Sequence, residues 1–542
     1  MKKIINKVLA TGAIALAATA CTGDYLEINS NQFEPGDLTA DNYALMSSMT
    51  NIFSSVIPSD VNRNQFTDCL MGGTLGGYFS DGNGNFTNSF ARYNPGNGWS
   101  RVLMEASQNS MIPTLYTNLS MVEDYCRENG QVIPVAIAKI VKVAAMNRVT
   151  DTYGPIPYSK IGYDGNILTP YDSQQQVYNK FFEELDEAKA VLIENQEVGF
   201  NALMDEVYQG DLKKWIKYAN ALQLRLAMRI SYADPAKAKE RAEAAVNPAN
   251  GGIIENNAES ALWNHYEVST NAMRTAIMYN NQDSRPSAEI TCYMNGYNDP
   301  RISEYVTETN WKDDDGNFIT APDGSVVRYA GVRRGWTSYN AVEWGVKFSG
   351  IVLDPHAPAQ WLNAAEVAFL RAEGAAVFNW DMGGSAEEFY NQGIKLSFEQ
   401  YGVGSAADAY IADNTSVPAQ YYDPSGVNSY NGNLPAVTIK WDESATIEEK
   451  QQRIITQKWL ANYTIGNEAW ADYRRTGYPV MIPVAYNGSA GVVDTNRGPQ
   501  RMPYPQEEYT NNGANVQQAV SQYLLGPDNQ GTKLWWACKP GL

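Results

Sequence analysis

Residues 361–400 read WLNAAEVAFLRAEGAAVFNWDMGGSAEEFYNQGIKLSFEQ. Leu362, Ala365, Phe369, Ala372 and Ala376 fall on one stripe at helical spacing, which predicts a helix over 361–380. Gly383 and Gly384 interrupt it. Ser385 with Glu388 three residues on has the form of a capping box, and Phe389, Ile394 and Phe398 carry the apolar stripe of a second helix. The two would fold back on each other as an antiparallel hairpin about as long as a tetratricopeptide unit, with small residues where they cross. That hairpin sets the expected fold class: mostly α, a scaffold of tetratricopeptide-like helix pairs.

The same signals recur to either side. Residues 131–153 place Val132, Val135, Ala136, Ile140, Val143 and Ala144 on a dense apolar face. Ser173 and Gln176 form a capping box opening a helix through Phe181, Phe182, Leu185, Ala188 and Leu192. Residues 211–231 carry Trp215, Leu222, Leu226 and Met228 inward, and Asp234-Pro235 is an N-cap followed by proline at the first helical position. Thr446 and Glu449 cap a further helix through Ile454, Ile455, Trp459 and Leu460. No repeat is regular enough to assert from self-similarity alone.

Three long polar stretches separate the helices: 71–99, rich in Gly and Asn; 263–349, which holds Trp263, Tyr266, Trp311, Tyr329, Trp336, Tyr339 and Trp344; and the tyrosine-rich 410–442. Loops of this length in a folded protein usually carry function. Aromatic residues make up 11% of the 542-residue chain, with 34 Tyr and 13 Trp, so some rings are expected to do more than fill a core. The 44% hydrophobic content excludes wholesale disorder. A formal charge of −19 repels phosphate backbones, so nucleic acid is not expected as a partner. With two histidines, His265 and His356, most histidine-based catalysis and metal binding is removed.

Lys2, Lys3 and Lys7 precede an apolar run, 8–18, too short to span a bilayer, and the run ends in Ala18-Thr19-Ala20-Cys21. This is the pattern of a lipoprotein leader, residues 1–20, with Cys21 lipidated as the first mature residue. The plainer reading is a secretory leader cut after Ala20 that leaves Cys21 free; the cysteine's position favours the former. Cys69, Cys126, Cys292 and Cys538 lie far apart with no CxxC spacing, which leaves two disulfides or four buried thiols open. Gly72-Gly73 and Gly76-Gly77 lack the lysine of a phosphate loop and are expected to serve turns at positive φ. Asp313–Asn317 lacks the twelfth-position glutamate of a calcium loop, so calcium has no motif behind it, and no metal or other cofactor is expected.

Seven segments, in order along nearly the whole mature chain, resemble the SusD/RagB family of Bacteroidetes outer-membrane lipoproteins. They are Asp24-Tyr25-Leu26-Glu27-Ile28-Asn29 after the cysteine; Asp151-Thr152-Tyr153-Gly154-Pro155-Ile156-Pro157-Tyr158; Thr169-Pro170-Tyr171-Asp172; Trp215-Ile216-Lys217-Tyr218-Ala219-Asn220 with Leu224-Arg225-Leu226-Ala227-Met228-Arg229; Asn298-Asp299-Pro300-Arg301-Ile302; Glu468-Ala469-Trp470-Ala471-Asp472-Tyr473-Arg474-Arg475-Thr476-Gly477-Tyr478-Pro479; and Arg501-Met502-Pro503-Tyr504-Pro505 with Glu508. The resemblance implies a single SusD-like domain over 21–542: four tetratricopeptide-like helix pairs supporting a loop-rich ligand-binding part. It implies a non-catalytic surface lipoprotein, lipid-anchored to the cell outer membrane, that captures oligosaccharides or, in some members, peptides and delivers them to a SusC-like TonB-dependent transporter.

The residues agree with that job. Sugars present C–H faces that rings cover and hydroxyl rims that amides, carboxylates and guanidinium groups bond. Tyr78, Trp99, Trp311, Trp336 and Trp344 are the candidate aromatic platforms, and Asp81, Asn83, Asn280, Asp283 and Arg285 the candidate polar contacts. The alternative for each ring is a loop anchor, tucked under a turn. Replacing Trp99 or Trp336 by alanine is expected to weaken binding without lowering stability. Motif residues such as Asp151, Arg474 and Arg475 are expected to be structural. No catalytic residue stands out, although a chain with 60 acidic residues always offers the two carboxylates an α-helical glycoside hydrolase would need.

Overall fold

A computed structural model describes residues 40–542 except 83–87, 102, 105–110, 163–167, 280–281, 283 and 338–340. The leader, Cys21 and the 24–29 segment lie outside the described residues, as do Asn83, Asn280 and Asp283. About half of the chain is helical, and residues Ser48–Leu542 form one compact unit.

The predicted helices form, with shifted ends. Residues 131–153 give Ile133–Tyr153, which packs on Gln174–Glu194; 211–231 give Leu212–Arg229, paired with Pro235–Val246. The expected boxes at Ser173/Gln176, Ser385/Glu388 and Thr446/Glu449 all close reciprocally. In the 361–400 hairpin, the first helix is shorter than predicted. It runs Ala364–Phe378, capped by Asn363, whose side chain accepts from Glu366 N. Trp361 and Leu362 belong instead to a strand, Ala359–Leu362, antiparallel to Ala261–Trp263. The partner helix is Ala386–Gln400. A Cβ at Gly393 would come within 2.7 Å of the Phe369 ring, so the small residue is what lets the pair close.

The glycine-rich run does something other than expected. Of Gly72, Gly73, Gly76 and Gly77, only Gly77 has positive φ. Gly76 would place a Cβ 2.5 Å from the Gly466 carbonyl, and Gly466 one 2.2 Å from Gly72. The glycines let the Gln65–Gly73 π-helix lie backbone to backbone against the Gly466–Thr476 helix. Close approach, rather than turn geometry, is their main use.

Charged residues far apart in sequence meet inside this scaffold. Arg229 donates to Asp151 at 3.0 Å and also pairs with Glu468. Lys458 Nζ lies 2.7 Å from Asp472, 3.1 Å from Glu468 and 3.5 Å from Glu366. Arg225 grips Glu366 at 2.7 and 2.8 Å, and Arg475 grips Glu373 at the same two distances. All of these side chains are buried. Buried charges are costly unless paired, and here each guanidinium or ammonium faces carboxylates from other helices. The net locks the helix pairs in register, which is the structural role expected of Asp151 and Arg475.

Candidate functional site

The loop-rich part is built around one short helix, Ala288–Gly296. Upstream of it, Phe79–Asp81 pairs antiparallel with Ser284–Pro286, joining the first two polar stretches. Ser287 starts the helix by accepting from Ile290 N, while its hydroxyl donates to the Gly77 carbonyl at 2.5 Å. Two glycines then let other chain segments press against it. A Cβ at Gly331 would lie 1.9 Å from the Ser287 carbonyl oxygen, and one at Gly296 would lie 2.2 Å from Ala419 N. Gly331 N donates to Thr291 Oγ1 at 3.0 Å, and Ala419 N to the Cys292 carbonyl at 2.9 Å. The second and third polar stretches are thereby held side by side across the helix.

Between them lies a cavity of about 270 Å³. Tyr329 and Tyr422 line it half-buried, while Asn295 and Gln420 are exposed beside them. Asn295 Nδ2 donates to the Tyr329 carbonyl at 3.0 Å, and Gln420 Nε2 to the carbonyls of Tyr430 at 2.5 Å and Gly432 at 3.2 Å. Both amides are held through nitrogen, and among the described residues no hydrogen bond reaches either side-chain oxygen. Tyr421 is buried behind them and donates to the Gly331 carbonyl at 3.4 Å. The acidic residue lining the cavity is Asp323. Hydrogen bonds from the Ser325 hydroxyl, at 2.6 Å, and its N–H, at 2.9 Å, hold that carboxyl below its ordinary range. Rings for C–H faces thus stand next to amide oxygens for hydroxyls.

Two of the expected platforms, Tyr78 and Trp336, are core residues instead. Tyr78 is fully buried: its ring stacks on Trp459 with centroids 5.4 Å apart, and its hydroxyl donates to the Trp459 carbonyl at 2.6 Å. Trp336, 1% exposed, packs edge-on against Phe348 at 5.8 Å. It centres a satellite core with Ala321, Val327, Ala330 and Val332, so alanine there would empty a packed site rather than trim a binding surface.

Trp311 and Trp344 are brought to that same cluster, 6.4 Å apart, but only half-buried, as is Tyr422. Three of the five proposed rings therefore gather in one place, and Ala321, Val327 and Ala330 form the wall between it and the cavity. Trp99 lies elsewhere, half-buried against Phe66 at 5.6 Å and Phe90 at 6.0 Å. Of the polar candidates, Asp81 and Arg285 are buried in the two paired strands, and Arg285 donates to the Phe348 carbonyl at 3.4 Å; neither lines the cavity.

Nothing in the sequence singles out Asn295, Gln420 and Tyr422. The available signal was the tyrosine-rich character of 410–442, which marked the loop but not its members. Asp313 closes an exposed turn, accepting from Asp315 N and Asn317 N at 3.0 and 2.9 Å. Among the described residues no cluster of three His, Cys, Asp or Glu side chains could hold a metal ion, and no helix is long and apolar enough to cross a membrane. No disulfide joins any two of the four described cysteines; Cys69, Cys126 and Cys292 are buried and Cys538 is exposed.

Comparison with known proteins places this architecture. The family profile described as SusD-like, SusD and RagB outer membrane lipoprotein, matches residues 27–537. A SusD homologue from Bacteroides uniformis is 51% identical, with a TM-score of 0.86 over 92% of this chain and 100% of its own. One from Bacteroides ovatus is 36% identical, with a TM-score of 0.83 over 92% and 100%. A chitin-binding SusD homologue from Flavobacterium johnsoniae is also 36% identical, with a TM-score of 0.81 over 91% and 99%. No curated protein matches the chain. The motifs, the helical scaffold and these likenesses together make the chain a member of the SusD-like family.

Proposed function

We propose that this protein is a surface lipoprotein, anchored in the outer membrane through Cys21, that binds an oligosaccharide without transforming it and passes it to a SusC-like TonB-dependent transporter. The observation that carries the glycan reading is the loop cavity, where the Tyr329 and Tyr422 rings stand beside the Asn295 and Gln420 amides, each held through its nitrogen. The chitin-binding relative supports it. The non-catalytic reading draws on the same place. A glycosidase general acid needs a raised pKa and a second carboxylate across a cleft, whereas Asp323 is held low by Ser325 and is the sole acid among the cavity's described lining.

Isothermal titration against a panel of neutral oligosaccharides and peptides tests the ligand class. Oligosaccharide binding that weakens in Tyr422→Ala is expected; binding of peptides alone would refute the glycan reading and favour the peptide-binding alternative. Release of reducing sugar on long incubation would refute the non-catalytic reading. For the anchor, Cys21→Ser should move the protein out of the membrane fraction, and acylation that persists in the variant would contradict it. Co-purification of a barrel transporter with the wild-type protein is the result expected for the delivery partner.

A further inference from the structure

A second cavity, of about 350 Å³, is lined by Arg474, Arg497 and Lys533, and no Asp or Glu is among its lining residues. In a chain with 60 acidic and 41 basic residues, three cations around a cavity whose described lining carries no acidic side chain stand apart from the rest of the protein. Among the described residues, none of the three forms an ion pair with a side-chain carboxylate. Arg474 is buried; it stacks 3.6 Å over Trp470 and, among the described residues, donates only to main-chain oxygens, those of Asp151, Gln500 and Trp470. Burial, with Arg229 nearby, pushes its pKa down to about 9 against the pull of Asp151, so a counter-anion would relieve it. Lys533 Nζ donates to the main-chain oxygen of Leu542, itself a lining residue, at 2.5 Å, and Arg497 donates to the Gly541 carbonyl at 3.4 Å, contacts that leave further donors on each.

The remaining wall suits a sugar ring. Tyr430 and Tyr473 line it half-buried, and Tyr473 donates to the Asn496 carbonyl at 2.7 Å, fixing the segment that carries Arg497. The two cavities share a loop: Gln420, which lines the first, donates to the carbonyl of Tyr430, which lines the second. From this geometry we infer that the Arg474–Arg497–Lys533 cavity takes the oxyanion, carboxylate or sulfate ester, of an acidic sugar residue. The inference rests on the glycan reading and adds a charge preference to it.

The test is calorimetric titration of the full mature chain with an oligogalacturonate, a sulfated oligosaccharide, a neutral oligosaccharide of equal length and inorganic sulfate. Acidic sugars should bind at least tenfold more tightly than the neutral one. The double variant Arg497→Gln/Lys533→Gln, the first exposed, the second half-buried and both outside the buried ion network, should abolish that preference while leaving the melting temperature and neutral-sugar binding at the first cavity unchanged. The carboxylate and sulfate arms identify which oxyanion is read. Equal binding of neutral and acidic sugars, or a preference that survives the double variant, overturns this inference and leaves the glycan reading standing. Inorganic sulfate binding as tightly as the acidic sugars overturns it as a sugar site. Failure of every sugar overturns both.

Discussion

Around Glu468 the protein has buried Arg229, Lys458 and Asp472, and every charge faces a partner from another helix. Around Gln420 it leaves amide oxygens and half-buried rings facing an open cavity, with partners supplied only on the nitrogen side. Both regions are rich in polar and aromatic groups, so composition does not separate them. Satisfaction does. Where each polar group is answered within the protein, a buried network fixes shape; where acceptors and rings are left unanswered at a concave surface, the unanswered groups are available to a ligand. The motif residues Asp151, Arg229, Glu468 and Asp472 lie in the first region, and the contacts proposed around Gln420 lie in loops outside the motifs, so the loops can change ligand contacts while the network stays.

The sharpest way to break this contrast is to remove a partner in the scaffold. Glu468→Gln leaves Arg229 and Lys458 short of a counter-charge and should cost on the order of 3–5 kcal/mol in chemical denaturation. A loss below about 1 kcal/mol would show that the network is not what holds the helices. Trp336→Ala should cost a similar 3–5 kcal/mol through the cavity it leaves, and a variant of normal stability with weakened sugar binding would restore Trp336 as a platform.

The acid limit of stability probes the same network. Burial alone would raise the Glu468 and Asp472 carboxyls, but Arg229, Lys458 and Arg225 around the former, and Lys458 and Arg475 around the latter, overcome it and hold both below the ordinary range. A depressed folded-state pKa gives stability that is full above the unfolded values of about 4.3 for Glu and 3.9 for Asp, and that is lost as pH falls through the folded values. Unfolding free energy should therefore be nearly flat just above pH ~5 and drop below pH ~4, with the drop reduced in Glu468→Gln. A drop of equal size in that variant would assign the acid limit to other groups.

On the loop side the effects are smaller and fall on binding. Tyr422→Ala should lose about tenfold in affinity, roughly 1.4 kcal/mol, with little change in melting temperature; Trp99→Ala, whose ring lies apart from the cavity against Phe66 and Phe90, should lose less. The reverse ranking would move the site. Smallest of all is thiol labelling: exposed Cys538 should react with a disulfide reagent at once, and Cys69, Cys126 and Cys292 only on unfolding. Fast labelling of Cys292, whose thiol burial pushes up, would show that the cavity wall opens.

The scaffold was legible because its signals are local. A capping box spans four residues and an apolar stripe repeats every three or four, so Ser173, Ser385 and Thr446 could be placed without knowing what they pack against. The site was not, because its members lie at 295, 329 and 420–422 and meet only when Gly296 and Gly331 let distant segments touch. Nothing local distinguishes Trp336 from Trp311: both sit in polar loop sequence and both pack on Phe348, and only the fold buries the first completely while leaving the second half-exposed. Trp361 shows the same limit, since an apolar stripe cannot tell the first turn of a helix from the strand that precedes its cap.

The most direct test of the central claim is a crystal structure with the best-binding oligosaccharide from the titration panel. The account predicts a sugar ring against Tyr329 or Tyr422, with hydroxyls bonded to the side-chain oxygens of Asn295 and Gln420, in the cavity between the second and third loop stretches. A sugar bound at Trp99, or anywhere that leaves this cavity empty, would contradict it.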